Sequence, residues 1–200
     1  MILFYDTETT GLPLFSEPSE HPGQPHIVQI AALLTDDDGK KISSVDLIIE
    51  PYGWAMDDRA LAVHGITVEH ATAVGVPADA AFEVFLTLWR HAEKRIGFNE
   101  PFDARMVRIE LCRLLGKNHA TSGDWKAGNA ECVKVLATPF CKEIPPTDKM
   151  MAAGRKHPKT PKLTEAYAVI MGKPMTNAHN AMGDVIATRA LYFKIKEQSA

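Results

Sequence analysis

The chain predicts an α/β fold, and three observations lead there. Residues 1–5, 27–35 and 41–50 are short apolar or alternating runs separated by turn-forming residues, the pattern of an antiparallel three-stranded meander. From residue 57 onward the apolar spacing becomes helical, interrupted by one further strand-like run at residues 95–98. At 200 residues, with 46% hydrophobic and 24% charged side chains, the chain fits a single domain (1–200) with a substantial core.

The elements follow in order. Residues 1–5 are apolar at every position, which suits a short strand covered on both faces in the middle of a sheet. Residues 13–26 hold four prolines and a glycine and form a long loop, expected to be mobile without substrate and to shape access to whatever the first strand carries. Asp36-Asp37-Asp38-Gly39 reads as a solvated hairpin turn, with strands at 27–35 and 41–50 on either side. Helices are expected at 59–64, closed by Gly65, and from Thr67 as cap to about Val74. A longer helix over 77–91 should bury Ala81, Val84, Phe85, Leu88 and Trp89. After the strand at 95–98, Asn99 stands as cap and Pro101 in the first turn of a helix whose inner face is Asp103, Val107, Leu111 and Leu114. Residues 117–130 read as a loop with a short strand near Trp125, and 131–138 as a helix ended by Pro139. Residues 142–162 form a loop whose cations Arg155, Lys156, Lys159 and Lys162 are read as solvated, although they could also meet phosphates. Helices at 163–171 and from about 181 to 196 complete the chain, with Asn180 as cap of the last.

Carboxylates occupy telling places in this pattern. Asp6 and Glu8, spaced i, i+2, project to one side of the first strand at its end. Two such anions repel, and burying them costs several kcal/mol unless a cation sits between them; carboxylate oxygens suit hard divalent ions. Taken alone, the pair reads as a solvated strand end before it reads as a metal site. Asp103 heads a buried helical stripe, either for the helix dipole or for a partner in a pocket. Asp184 heads another such stripe, Ala187, Leu191 and Ile195, with His179 in the loop five residues earlier. Four acids converging on one pocket would need two divalent cations, the arrangement suited to in-line displacement at phosphorus.

Composition excludes other classes. No apolar run approaches the ~20 residues of a bilayer span, and no secretory signal is visible, so no membrane association is expected. Cys112, Cys132 and Cys141 are odd in number and lack C-x-x-C spacing, which reads as buried free thiols in a reduced, cytoplasmic compartment. A net charge of −3 argues against nonspecific clamping of long duplexes but not against gripping one strand end through metal ions.

Three stretches in this order carry a family resemblance: Asp6-Thr7-Glu8-Thr9-Thr10-Gly11-Leu12, Asn99-Glu100-Pro101-Phe102-Asp103 and His179-Asn180-Ala181-Met182-Gly183-Asp184. They resemble the three motifs of the DnaQ-like 3′→5′ exonucleases with four acids and a histidine (the DEDDh group). The segments His64-Gly65-Ile66-Thr67 and Gly75-Val76-Pro77 also look like the family's connecting region, whereas Phe98 stands where many members carry His. The resemblance implies an RNase H-like fold, a mixed five-stranded sheet flanked by helices. It implies two Mg²⁺ or Mn²⁺ ions held by Asp6, Glu8, Asp103 and Asp184, and His179 as general base. Thr7, Thr9, Leu12, His64, Asn99 and Phe102 would contact the terminal nucleotides. An imidazole, with an ordinary pKa near 6.5, suits activation of water, and aromatic rings stack on unpaired bases. The implied activity is metal-dependent release of 5′-mononucleotides from single-stranded DNA 3′ ends, in proofreading or repair, with any polymerase a separate chain. The alternatives are an exoribonuclease of the same family and a non-catalytic nucleic-acid-binding or polymerase-associated subunit; all five motif residues are present, against the latter.

Overall fold

The computed structural model describes residues 1–176 and 178–199. Five strands form one sheet: β1 (Ile2–Thr9), β2 (Ile27–Thr35), β3 (Lys41–Ile48), β4 (Lys94–Gly97) and β5 (Ala130–Cys132), in the order β3-β2-β1-β4-β5. β1 to β3 form the expected antiparallel meander, and β4 and β5 add in parallel on the other side of β1. A parallel neighbour demands a crossover. Three helices supply it: α1 (Asp58–His64), α2 (Val68–Val74) and α3 (Ala78–Arg90). α4 (Glu100–Leu115) and α5 (Ala120–Ala127) lead to β5; α6 (Val133–Ala137), α7 (Asp148–Ala152), α8 (Leu163–Met171) and α9 (Ala181–Ser199) follow. This is an RNase H-like architecture.

Each face of the sheet has its own core, and alternation along β1 divides them. Leu3 and Tyr5 pack with α3, α4 and α5 through Phe82, Phe85, Val107, Leu111 and Trp125. Ile2 and Phe4 pack on the opposite face with α6, α8 and α9 through Val133, Ala166, Val185 and Leu191. β1 and β2 are buried almost throughout because both faces are covered, while β3, at the edge, buries only Val45 fully.

Local signals predicted most boundaries. Asp57 caps α1 by accepting from the Arg59 N–H, and Thr67 caps α2 from the His70 N–H. Gly65 and Gly172 end their helices at φ 71° and 69°, where a side chain would be strained. Asp36 closes the hairpin by accepting from the Asp38 and Lys40 N–H groups.

Six expectations need correction. β1 continues through Thr9, so Asp6 and Glu8 lie within the strand rather than at its end. In α3, Phe82 and Leu86 face the core while Val84 is 48% exposed, because the helix lies with its 78–82–85 line against the sheet. Trp125 sits on α5, not a strand; the strand comes five residues later, its three residues too few to show an alternation. Glu131 accordingly belongs to β5 and not to a helix, and a helical turn, α7, lies inside 142–162. Asn99 occupies the cap position of α4, but its side chain makes no capping hydrogen bond; the turn is closed by the backbone, with Phe102 N–H donating to Asn99 C=O at 2.8 Å.

The proline-rich loop at 13–26 is also more constrained than its composition implies. The buried Gln24 side chain accepts from Leu14 N–H and donates to the Leu14 and Pro18 carbonyls. Arg105 and Arg113 on α4 donate to the Glu17 and Gln24 carbonyls, fastening the loop to the helix. The three cysteines are free; Cys112 and Cys141 are buried, and Cys132 is only half-buried. Among the described residues no helix is long and apolar enough to cross a membrane.

Candidate active site

Asp6 and Glu8 point to the α9 face of β1, the face that also receives Phe4. Asp184 lies in the first turn of α9, whose N-terminus Asn180 caps by accepting from the Gly183 N–H at 3.1 Å. One carboxylate oxygen from each of Asp6, Glu8 and Asp184 lies within 4.8 Å of the other two. Asp184 Oδ1 is buried with no hydrogen-bond partner. Among the described residues no cationic side chain pairs with any of these three carboxylates.

Asp103 approaches from the other face. It is buried at the start of α4, and its Oδ1 accepts from both the Thr7 N–H (3.1 Å) and the Thr7 hydroxyl (2.7 Å). It is therefore not part of the tight group of three, although its charge is felt by Asp6 and Glu8.

The electrostatics record this crowding. Burial, then Asp103, Asp184 and Glu8, push the Asp6 carboxyl well above the usual carboxylate range. Burial and the charges of Asp184 and Asp103 raise Glu8 to about 7. Burial, helped by the Glu100 charge, raises Asp103 to about 7 against the Thr7 hydrogen bonds that favour its charged form. Burial raises Asp184 to about 6, with His179 acting in the opposite direction. Buried like charges held this closely are stable together only with protons or cations among them. The donor set is all carboxylate oxygen, and one oxygen has no partner, so hard divalent cations fit this site.

His179 is exposed in the loop before α9 with φ 63°. A left-handed backbone is uncommon for a non-glycine residue, and here it belongs to the residue whose charge acts on Asp184.

Beside the carboxylates runs a cleft of about 480 Å³ lined by Thr7, Glu8, Thr9, Leu12, His64 and Phe102, among others. Five of the six side chains expected to contact substrate thus share one cavity. Leu12 is 75% exposed there. His64 Nδ1 accepts from the Ile66 N–H at 3.0 Å, which leaves the buried Nε2 as the ring's donor, facing the Thr9 backbone. Asn99 is exposed and does not line this cleft.

Two positioning groups escaped sequence reasoning. Gln29 on β2 donates to Asp46 Oδ1 at 2.7 Å and accepts from the Ala181 N–H at 3.4 Å, tying the sheet to the start of α9. The β1–β2 register shifts beside it, between Glu8 and Thr9, a bulge of the kind found near active sites. A lone polar residue in an otherwise apolar strand was the visible signal. The second group is a buried network: Arg95 Nε donates to Glu100 Oε1 at 2.8 Å, Tyr5 OH donates to the same oxygen at 3.0 Å, and Arg95 Nη1 donates to the Trp125 carbonyl. It joins β1, β4, α4 and α5 immediately behind Asp103. No local signal marks it, because its members are far apart in sequence.

An RNase H-like sheet with acidic side chains gathered on its central strand defines the class of protein. The chain matches the exonuclease family model over residues 3–192 and belongs to this family, the DnaQ-like exonucleases. No curated protein is significantly similar to it in sequence. Among solved structures it is similar to E. coli exonuclease I in complex with a dT13 oligonucleotide (TM-score 0.73, 23% identity) and with a dA16 oligonucleotide (TM-score 0.73, 24% identity). It is also similar to the zinc-bound form of an E. coli exonuclease I–ssDNA complex (TM-score 0.71, 23% identity). The similarity covers 98% of this chain but 40% of each of theirs, and at this identity it establishes the fold.

Proposed function

We propose that this chain is a metal-dependent 3′→5′ exonuclease that releases 5′-mononucleotides from single-stranded DNA. The observation that carries this reading is the unpaired trio Asp6, Glu8 and Asp184, with Asp103 reaching the same strand from the other face. E. coli exonuclease I, whose fold this chain shares, is seen with single-stranded DNA, which supports the choice of substrate.

In this reading Asp6, Glu8 and Asp184 hold one Mg²⁺ or Mn²⁺ ion, and Asp6 with Asp103 serves a second. Cations bound there would polarise the scissile phosphate and stabilise charge developing on it. Thr7 holds the Asp103 carboxylate in place. Leu12, His64 and Phe102 grip the terminal nucleotides in the adjoining cleft, with Thr7 and Thr9 in its wall. His179, on its exposed loop, takes a proton from the attacking water. The new bond forms between that water's oxygen and phosphorus; the bond to the 3′ oxygen of the preceding nucleotide breaks. A 5′-mononucleotide leaves, and the 3′ oxygen of the shortened strand takes a proton from solvent to end as a hydroxyl. Trimming such ends is the step that proofreading and repair share.

The test is digestion of single-stranded DNA and RNA, labelled at either end, with and without Mg²⁺. A 5′-labelled DNA strand should shorten as a ladder and a 3′-labelled one should lose its label first, both only with metal. Internal cleavage, or undiminished activity in EDTA, would overturn the reading.

A further inference from the structure

Another hollow adjoins the terminal-nucleotide cleft. It has a volume of about 470 Å³ and is lined by Pro22, Pro25 and Trp54; the two share Gly11, Leu12 and Asp57, and none of Asp6, Glu8, Asp103 and Asp184 lines the second. Its two walls come from distant parts of the chain and are both bonded to one residue. Thr10 N–H donates to the His26 carbonyl at 2.9 Å, and Thr10 C=O accepts from the Asp57 N–H at 3.0 Å. The Thr10 hydroxyl accepts from the His26 N–H as well.

The far wall is unusually well fixed for a stretch holding four prolines. Gln24, 2% exposed, uses both ends of its amide on the loop backbone, and Arg113 anchors the Gln24 carbonyl to α4. The opposite wall carries Trp54, half-buried against Val28, Ile66 and Ala71. No lysine or arginine lines the second hollow among the described residues. An indole beside prolines offers apolar faces on which bases can stack, while Asp57 in the same lining keeps phosphates on the solvent side.

We infer that this second hollow is an upstream strand track, in which Trp54 stacks on a base of single-stranded nucleic acid several nucleotides before the 3′ end. The inference rests on the exonuclease reading, and it adds a length requirement that the acidic centre alone does not impose. Stacking tolerates any base, so the track would favour longer strands without selecting sequence.

The experiment measures binding of 5′-fluorescein dT2, dT3, dT4 and dT6 to the His179→Ala protein, slow in turnover but with its carboxylates intact, with Mg²⁺ at several salt concentrations. Affinity should rise with length by roughly 5- to 150-fold for the base that reaches Trp54. The salt slope should change little across that step, because no cation is engaged. Trp54→Leu should abolish the length gain and Trp54→Phe should restore it, with melting curves confirming that both variants fold. A gain that survives Trp54→Leu, or that disappears only in high salt, would overturn the track while leaving the exonuclease reading intact. Length-independent binding would do the same. Absence of binding at every length would overturn the track and the nucleic-acid reading together.

Discussion

Thr7 holds Asp103 twice: its backbone N–H, 3.1 Å away, and its hydroxyl, 2.7 Å away, donate to the same carboxylate oxygen. Thr7 stands between Asp6 and Glu8, but its side chain leaves the strand on the opposite face. One strand thus presents two acids to α9 and recruits a third acid from α4 across its own backbone.

Removing the hydroxyl tests that bridge. Thr7→Val leaves the buried Asp103 with one bond fewer, which should cost about 1–3 kcal/mol of stability. Loosening the carboxylate should lower exonuclease turnover by roughly tenfold to a hundredfold. Thr7→Ser, which keeps the hydroxyl, should stay near wild type in both. Thermal melts and single-strand digestion check the pair; equal activity in Val and Ser variants would show that the bridge is idle.

The crowded carboxylates make a pH prediction with a definite sign. Glu8 and Asp103 rise to about 7 and Asp184 to about 6, so the metal-free native state binds more protons than the unfolded chain, whose carboxyls titrate near 4. Their contribution is greatest below pH ~4 and is lost as pH rises through about 6 to 7, amounting to the order of a few kcal/mol. Metal-free Asp6→Asn or Asp184→Asn should therefore be more stable than wild type at pH 8, with a flatter stability curve from pH 5 to 8. Both should lose turnover and the stabilisation that Mg²⁺ confers on wild type. Melting curves across pH, with and without Mg²⁺, provide the check.

His179→Ala should reduce turnover by about 10²- to 10⁴-fold, as loss of a general base does. Mg²⁺ affinity, read by titration calorimetry, should stay close to wild type because His179 is outside the group of three carboxylates. The deficit should narrow toward pH 10, where hydroxide replaces the protein base. A loss of Mg²⁺ affinity matching that of Asp6→Ala would make His179 a ligand or a support instead.

The loop at 13–26 should exchange its amide hydrogens slowly at Leu14 and Gln24, which are bonded to the Gln24 amide and to His21. Gln24→Ala removes the side chain's bonds to the loop backbone. Hydrogen exchange by mass spectrometry should then show the whole loop opening, by about one to two orders of magnitude. Unchanged protection would mean that Arg105 and Arg113 suffice to hold it.

Local physics was readable from the residues alone. Period-two and period-3.6 spacing located the meander and the long helices, and residues that cap or end helices, Thr67 and Gly65, marked their bounds. The acids on buried faces, Asp6, Glu8, Asp103 and Asp184, stood out because a charge in an apolar stripe needs a partner. Where local signals were short or in conflict, the reading failed: three residues of β5 cannot display a period, and Trp125 reads as strand or helix until its neighbours are placed. What only the tertiary structure decided is which groups meet. The order β3-β2-β1-β4-β5 puts β1 at the centre, so helices on both faces deliver acids to it. The division of those acids, Asp6 and Glu8 meeting Asp184 on α9 and Asp103 held by Thr7, depends on contacts between residues 96 to 178 positions apart. Such contacts leave no periodic trace in a chain, because their geometry exists only once the sheet has closed around β1.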